Sequence, residues 1–147
     1  MSSSKPPVLT EAQAIVHILN HCRTVAVVGL SPKAHRESYH VAAYMQTRGW
    51  RIIPINPVAA ASGEPILGET VYATLSEAAR HQKIDLVDVF RNSEDVPPVV
   101  DETIALALSA IWLQLGISHD AALAKAQAAG LVAVQNRCLK IELARLG

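Results

Sequence analysis

The stretch from Val25 to Pro57 constrains the fold of this chain more than any other part of the sequence. It begins with a run of Val and Ala residues, continues through a loop that Gly29 opens, and reaches a second apolar run after Gly49. Between the two runs, residues 38–48 carry apolar side chains at helical spacing. This pattern is typical of a βαβ unit, whose two strands lie parallel in one sheet.

The remaining sequence repeats this alternation of strands and helices. We expect strands at 24–28, 51–55, 85–90, 110–115 and 131–134. We expect helices at 11–22 with an N-cap at Thr10, and at 38–48, 76–81, 94–108, 119–129 with an N-cap at Ser118, and 138–146. Residues 59–70 read as a connector with a short extended piece at Ile66 and Leu67. The predicted fold class is α/β, a Rossmann-like doubly wound parallel five-stranded sheet with helices on both faces.

Length and composition favour one domain built on an aliphatic core. The chain has 147 residues, half of them apolar but only 4% aromatic, as expected for parallel strands covered on both faces. We expect a flexible N-terminal segment at 1–9, which is rich in Ser and Pro, and a single domain at 10–147.

Charge and targeting signals exclude several classes of partner. The net charge is zero, so there is no bulk attraction to nucleic acid or to an anionic membrane. No apolar run approaches the roughly 20 residues that cross a bilayer, and the first residues show no secretory signal. The two cysteines form no CxxC pattern, which fits a reducing compartment. We therefore expect a cytoplasmic protein that binds neither nucleic acid nor membrane.

The loop after the first strand is suited to phosphate but lacks the dinucleotide fingerprint. Gly29 follows the strand directly, yet Ser31 and Ala34 stand where that fingerprint has further glycines. The second strand also ends without the carboxylate that NAD sites use for the ribose. The positive charge lies instead in the first loop, at Lys33 and Arg36. Such charges can also be ordinary solvated loop residues, and both interpretations remain open at this point.

Five motifs in order resemble one known family. They are VVGLSPKAHRESYHVAAYMQTRGWRIIPINP, ILGETVYATL, IDLVDVFRNSEDVPPVV, AIWLQLGI and NRCLKIELARL. Together they resemble the small stand-alone CoA-binding domain proteins, which are related to the CoA-binding domain of the succinyl-CoA synthetase α subunit. The resemblance covers about residues 13–146. It implies a Rossmann-type fold and coenzyme A as the ligand, and it implies no reaction.

The resemblance also implies which residues bind CoA. The resemblance implies that the Gly-Leu-Ser-Pro loop and the following helix start bind the pyrophosphate. These residues are Gly29, Leu30, Ser31, Pro32, Ser38 and Tyr39. The adenosine is flanked by Ile55, Asn56 and Pro57, and the nucleotide is bordered by Val89, Phe90 and Arg91. Gln114 lies near the pantetheine. Lys33, Arg36 and Arg91 are the cations for the phosphates, and their order of importance stays open.

These observations favour a protein that binds CoA or an acyl-CoA and is not catalytic by itself. No metal-binding or catalytic constellation is expected. The alternatives are an NAD(P)-dependent oxidoreductase, the nucleotide-binding component of an acyl-CoA ligase that acts with a partner subunit, and an interaction protein with a vestigial site. Cys138 is either a reactive thiol at a helix start or, as we favour, a small buried residue. Apolar residues on the last helix, Leu139, Ile141, Leu143 and Leu146, suggest a possible homodimer or an unidentified protein partner.

Overall fold

The computed structural model describes residues 8–146, which form one parallel five-stranded sheet covered by helices on both faces. The strands are Thr24–Val28 (β1), Arg51–Ile55 (β2), Leu86–Val89 (β3), Ala110–Leu113 (β4) and Val132–Val134 (β5). The helices are Glu11–His21 (α1), Glu37–Thr47 (α2), Pro57–Ser62 (α3), Leu75–His81 (α4), Val96–Ala105 (α5), Asp120–Ala128 (α6) and Leu139–Leu146 (α7). The predicted α/β, doubly wound, Rossmann-like fold is confirmed.

The strand order is β2-β1-β3-β4-β5, with every neighbouring pair parallel. The chain therefore reverses its winding direction between β1 and β3, which is the topological switch point of the sheet. A single bridge between Ile55 and Tyr72 adds a rudiment of a sixth strand outside β2. Open α/β sheets bind ligands in the crevice outside the carboxyl ends of the strands at this switch point.

Two apolar clusters, one on each face of the sheet, hold the helices in place. One joins α1, α2 and α7 to the sheet through side chains that include Ile18, Met45 and Leu139, all with no exposed surface. The other joins α4, α5 and α6 through side chains that include Ala78, Val96 and Ala126. In the described part of the chain, no helix has both the length and the apolar character that crossing a membrane requires.

The prediction for residues 59–70 was wrong in two respects. The first part of the connector is helical, and the extended piece expected at Ile66 and Leu67 is a tight turn, in which Ile66 bridges Glu69 and Leu67 has φ 53°. Asn56 caps α3 by accepting hydrogen bonds from the Val58 and Ala59 amides, both at 3.0 Å. Pro57 occupies the first turn, where its missing N–H costs nothing. A helix of six residues is too short to show periodicity, so only the Asn-Pro start could have indicated it.

Two later helices also differ from the prediction. The helix expected at 94–108 begins as a 3-10 turn, Ser93–Asp95, and α5 ends early because Ala107 turns into the left-handed region at φ 55°. The N-cap of α6 is His119 and not Ser118, since the His119 ring accepts a hydrogen bond from the Ala122 amide at 3.1 Å. The remaining elements match their predicted positions within about two residues.

The structure can be compared with two expectations for the ends of the chain, a flexible N-terminal segment and an apolar dimer face on the last helix. Most of the segment expected to be flexible, residues 1–7, lies outside the described residues, while Leu9 packs on the α1 side of the core. In α7, Leu139 and Leu143 are buried against the sheet, whereas Ile141 and Leu146 are about half exposed. Half of the apolar set that suggested a dimer face therefore belongs to the core.

Asp88 is a buried carboxyl group in the middle of β3. It lies between Val27 and Trp112 in the strand register, on the face that α1, α2 and α7 cover. Its side chain has no exposed surface, and neither carboxyl oxygen has a hydrogen-bond partner among residues 8–146. Burial raises the pKa of Asp88 well above its ordinary value, and the Val89 backbone amide offsets only part of this. The folded protein therefore favours the protonated carboxyl group.

Asp88→Asn is expected to make the protein more stable, and increasingly so as the pH rises from 4 to 8. In the unfolded chain the carboxyl ionises near pH 4, while the folded protein keeps the proton until its raised pKa is passed. The wild type therefore loses stability with rising pH over that window, and the neutral amide does not. Tm values of both proteins across the pH series measure the difference. Parallel pH profiles would contradict the assignment of a neutral Asp88.

Candidate functional site

The closest approach at the carboxyl edge of the sheet is between the loops that follow β1 and β3. Gly29 has φ +91°, and a Cβ built there would stand 2.2 Å from the Phe90 carbonyl oxygen. The Gly29 amide donates to the Ile55 carbonyl at 2.9 Å, and the Phe90 amide donates to Val28 at 2.9 Å. The glycine therefore lets the two loops meet at the switch point, before any ligand is considered.

The loop from Leu30 to Arg36 is held by its own serines. The Ser38 hydroxyl accepts a hydrogen bond from the Ser31 amide at 3.0 Å, and the Ser31 hydroxyl accepts one from the Lys33 amide at 3.1 Å. Ser38 is buried and Ser31 is half-buried, so the bond between them is partly shielded from water, whereas the bond from the Lys33 amide is exposed. The loop is therefore preorganised, with Pro32, Lys33 and Arg36 on its exposed outer side.

The helix that follows this loop begins without a side-chain cap. Helices α1, α3, α4 and α6 each have a capping side chain, from Thr10, Asn56, Thr74 and His119. At α2 the cap position is Arg36, which makes no such bond. Within residues 8–146, the amides of Glu37 and Ser38 have no acceptor. The start of α2 thus presents free N–H groups and the positive end of the helix dipole at the carboxyl edge.

Asn56 connects the end of β2 to the same loop. Its side-chain Nδ2 donates to the Leu30 carbonyl at 2.9 Å, and its Oδ1 caps α3. The Asn56 backbone N–H donates to the Tyr72 carbonyl. Its side chain therefore has a structural role that the sequence did not reveal. Because α3 starts here, Val58 stands at the edge with 82% of its surface exposed, close to Pro57.

The other side of the switch point is an open cavity between the loops after β3 and β4. It has a volume of about 650 Å³ and is lined by Phe90–Glu94, Gly116 and Ile117. Phe90 is partly buried against the α1 side of the core, and Arg91 is half-buried at the cavity wall. Of these lining residues, only Phe90 and Arg91 were predicted from the sequence.

Gln114 follows β4 and is almost completely buried. Its side-chain oxygen accepts a hydrogen bond from the Leu139 amide at 3.2 Å, at the start of α7. The Gln114 backbone N–H donates a hydrogen bond to the Val89 carbonyl at 3.3 Å. Gln114 therefore joins β3, β4 and α7 just behind the edge. Cys138 precedes α7 and is buried as well.

The structure brings the predicted residues together along one edge but gives them different roles. Leu30, Ile55 and Val89 are buried in the apolar clusters, so their side chains pack the core and only their backbones face the edge. Tyr39 is partly buried on α2, also against the core. The exposed groups are those of Pro32, Lys33, Arg36 and Pro57, with Arg91 half-buried. Val58 and the lining residues 92–94, 116 and 117 were missed.

A second cavity lies beside β5, the edge strand of the sheet. Its volume is about 520 Å³, and its lining is mainly apolar, from Val8, Leu9, Ala14, His17 and residues 127–133. It is remote from the switch point because it borders the start of β5, whereas the Gly29 loop follows the end of β1.

Comparison with known proteins shows the family to which this chain belongs. A family model described as a CoA binding domain matches residues 23–144, which include every strand. The chain belongs to the CoA-binding domain family. The resemblance identified from the five motifs is thereby confirmed.

Relatives of this family member share its fold over nearly the whole chain. A Bacillus subtilis protein, uncharacterized protein YneT, is 33% identical over 127 residues, which is 86% of this chain and 90% of that protein. A hypothetical protein from Pyrococcus horikoshii is 32% identical with a TM-score of 0.83, covering 100% of both chains. An acetyl-coenzyme A synthetase of Ca. Korarchaeum cryptofilum matches with a TM-score of 0.68 at 18% identity, over 82% of this chain and 28% of its own. That last likeness shows the shared fold.

Gly29→Ala is expected to destabilise the protein by about 3 kcal/mol or more. The left-handed backbone costs an L-residue about 1–2 kcal/mol, and the clash with the Phe90 carbonyl adds to this. Gly130→Ala is the matched control, because Gly130 has φ +94° and no atom of residues 8–146 near its Cβ position. Gly130→Ala should lower the free energy of unfolding only by the cost of the left-handed backbone, about 1–2 kcal/mol. Free energies of unfolding from urea titrations measure both, and equal losses would contradict the steric role of Gly29.

Proposed function

We propose that this protein binds coenzyme A at the carboxyl edge of its sheet and has no catalytic activity of its own. The uncapped start of α2 beside the Gly29 loop is the observation that supports this best. Free amides, the helix dipole and the exposed Lys33 and Arg36 form a site for a phosphate group. Membership of the CoA-binding domain family makes the CoA pyrophosphate the group expected there.

We propose positions for the other parts of the ligand from the order of the strands. Adjacent strands lie about 4.8 Å apart, so the edge from β2 to β4 spans about 14 Å. In our proposal the adenosine lies at the β2 end, against Pro57 and Val58. The pyrophosphate lies at the β1 loop, with Lys33 and Arg36 available to the 3′-phosphate. The pantetheine then passes Phe90 toward the loop after β4, near Gln114.

The geometry at the end of β2 argues against a dinucleotide oxidoreductase. A site for the NAD ribose uses a carboxylate there, whereas this chain has Asn56, whose side chain caps α3 and holds Leu30. Cations that could accept an additional phosphate lie on the β1 loop instead. CoA and NADP each carry an extra phosphate beside the diphosphate, and NAD does not, so these cations count against NAD, and the titration with NADP separates the other two.

The two thiols of the described chain do not favour covalent chemistry. Both Cys22 and Cys138 are buried. Burial, with Asp85 nearby, raises the pKa of Cys22 to about 11, so that thiol stays protonated at neutral pH. A role as the nucleotide-binding component of a ligase would therefore require a partner subunit that supplies the reacting groups.

Titration with CoA, dephospho-CoA, NAD and NADP, followed by thermal shift and calorimetry, tests this proposal. CoA at about 100 times its dissociation constant should add roughly 2.7 kcal/mol of stability. For a domain of this size, that corresponds to a Tm rise on the order of 5–10 °C. Dephospho-CoA should bind more weakly because it lacks the 3′-phosphate. Binding of NAD or NADP in place of CoA would overturn the proposal.

The double variant Lys33→Met/Arg36→Met tests whether these two cations contact a phosphate of CoA or only attract it through the overall charge of the protein. It should weaken CoA binding roughly tenfold and dephospho-CoA binding less, if these cations contact the 3′-phosphate. Arg51→Met is the control, since Arg51 is exposed at the amino end of β2, away from the site. An equal effect of both variants would point to bulk charge and not to a contact.

A further inference from the structure

Arg91 differs from the other cations of the described chain because it is partly buried without a partner. Among the Lys and Arg residues between positions 8 and 146, Arg91 and Arg137 are half-buried and the others are exposed. Arg137 pairs with Glu11. The ion pairs and side-chain hydrogen bonds within those residues include none from the Arg91 guanidinium. Burial removes part of its hydration, which an anion from a ligand would replace.

The cavity beside Arg91 is separate from the phosphate loop. Its walls are formed by the loops after β3 and β4, and no residue of the loop at 29–38 lines it. On the proposed path of CoA along the edge, the phosphates lie at the β1 loop and the sulfur end arrives at β4. The cavity of about 650 Å³ therefore lies where a group attached to the sulfur would extend.

We infer that this cavity holds the acyl group of an acyl-CoA that ends in a carboxylate, and that Arg91 binds that carboxylate. The inference rests on the proposed function, because it requires CoA to lie along this edge. It identifies the class of ligand as a short carboxyacyl thioester, and it makes Arg91 the residue that distinguishes such a ligand from an uncharged acyl-CoA.

The other lining residues suit a short chain with an acidic end. Ile117 is half-buried against the core and supplies an apolar wall for methylene groups. Asn92 is exposed beside Arg91 and can donate from its amide group. The Ser93 hydroxyl already accepts a hydrogen bond from the Ser118 amide at 3.1 Å, so it stabilises the wall. Arg91 can bind a carboxylate with two parallel hydrogen bonds.

Glu94 is the one lining group that opposes a carboxylate. It is exposed, so water weakens its repulsion of a second negative charge. Removing its charge should therefore strengthen binding of a carboxyacyl-CoA. This gives the inference a variant that changes affinity in the opposite direction from the loss of Arg91.

Calorimetric titration of the full chain with CoA, butyryl-CoA and succinyl-CoA tests the inference. The two thioesters share a four-carbon acyl chain, and succinyl-CoA alone ends in a carboxylate. The wild type should bind succinyl-CoA about tenfold or more tightly than butyryl-CoA, as expected for a charged hydrogen bond. Arg91→Met should abolish that preference, and Arg91→Lys should retain part of it. Glu94→Gln should increase it a few-fold.

Three results would overturn the inference. The first is equal binding of succinyl-CoA and butyryl-CoA by the wild type, which leaves the CoA proposal intact. The second is an equal loss of affinity for CoA and succinyl-CoA in Arg91→Met, which would make Arg91 a ligand of the pyrophosphate that CoA itself contains. The third is the absence of binding to CoA, which would overturn the proposed function as well.

Discussion

The close contact between Gly29 and the Phe90 carbonyl is the constraint on which the rest of this edge depends. It brings the loops after β1 and β3 together at the point where the winding of the sheet reverses. Only a residue without a Cβ permits that approach. The chain after Gly29 then leads to α2 on one face, and the chain after Phe90 leads to α5 on the other. The crevice between them is thus a product of packing, independent of any ligand.

Around this contact, the polar groups of the edge divide into two kinds. Those that hold the loops are already paired: Ser31 with Ser38, Asn56 with Leu30, and Gln114 with Leu139. Among residues 8–146, the groups without a partner include the first amides of α2 and the guanidinium of Arg91. Preorganised loops that present a few free donors can bind an anion with little loss of conformational freedom. This division supports the view that the edge is built for an anionic ligand.

Much of the fold followed from the sequence because parallel strands and their helices leave strong periodic patterns. The βαβ start and all five strands were predicted from apolar runs and their spacing. The helix α3 was missed because six residues show no periodicity, and its Asn-Pro start resembled the end of a strand. His119 replaced Ser118 as a cap because an imidazole nitrogen can accept a hydrogen bond from a backbone amide. Local propensities alone do not distinguish these cases.

The location of the site stays a prediction, while the structural roles of its residues are visible in the fold. The motifs place the predicted residues at the carboxyl edge, but they did not show that Leu30, Ile55 and Val89 face the core or that Asn56 is a structural cap. These roles depend on three-dimensional contacts between distant loops. Asp88 is a further case, since a charged residue type within an apolar strand does not reveal whether a partner will be close to it.

The measurement that tests the location of the site most directly is the change in backbone amide NMR shifts on adding CoA. Binding at the carboxyl edge predicts the largest changes at residues 29–38, 56–58, 89–94 and 114–117. Amides around the second cavity beside β5, including Leu9, Ala14 and residues 127–133, should change little. The largest changes around that second cavity, with the Gly29 loop unaffected, would contradict the proposed site.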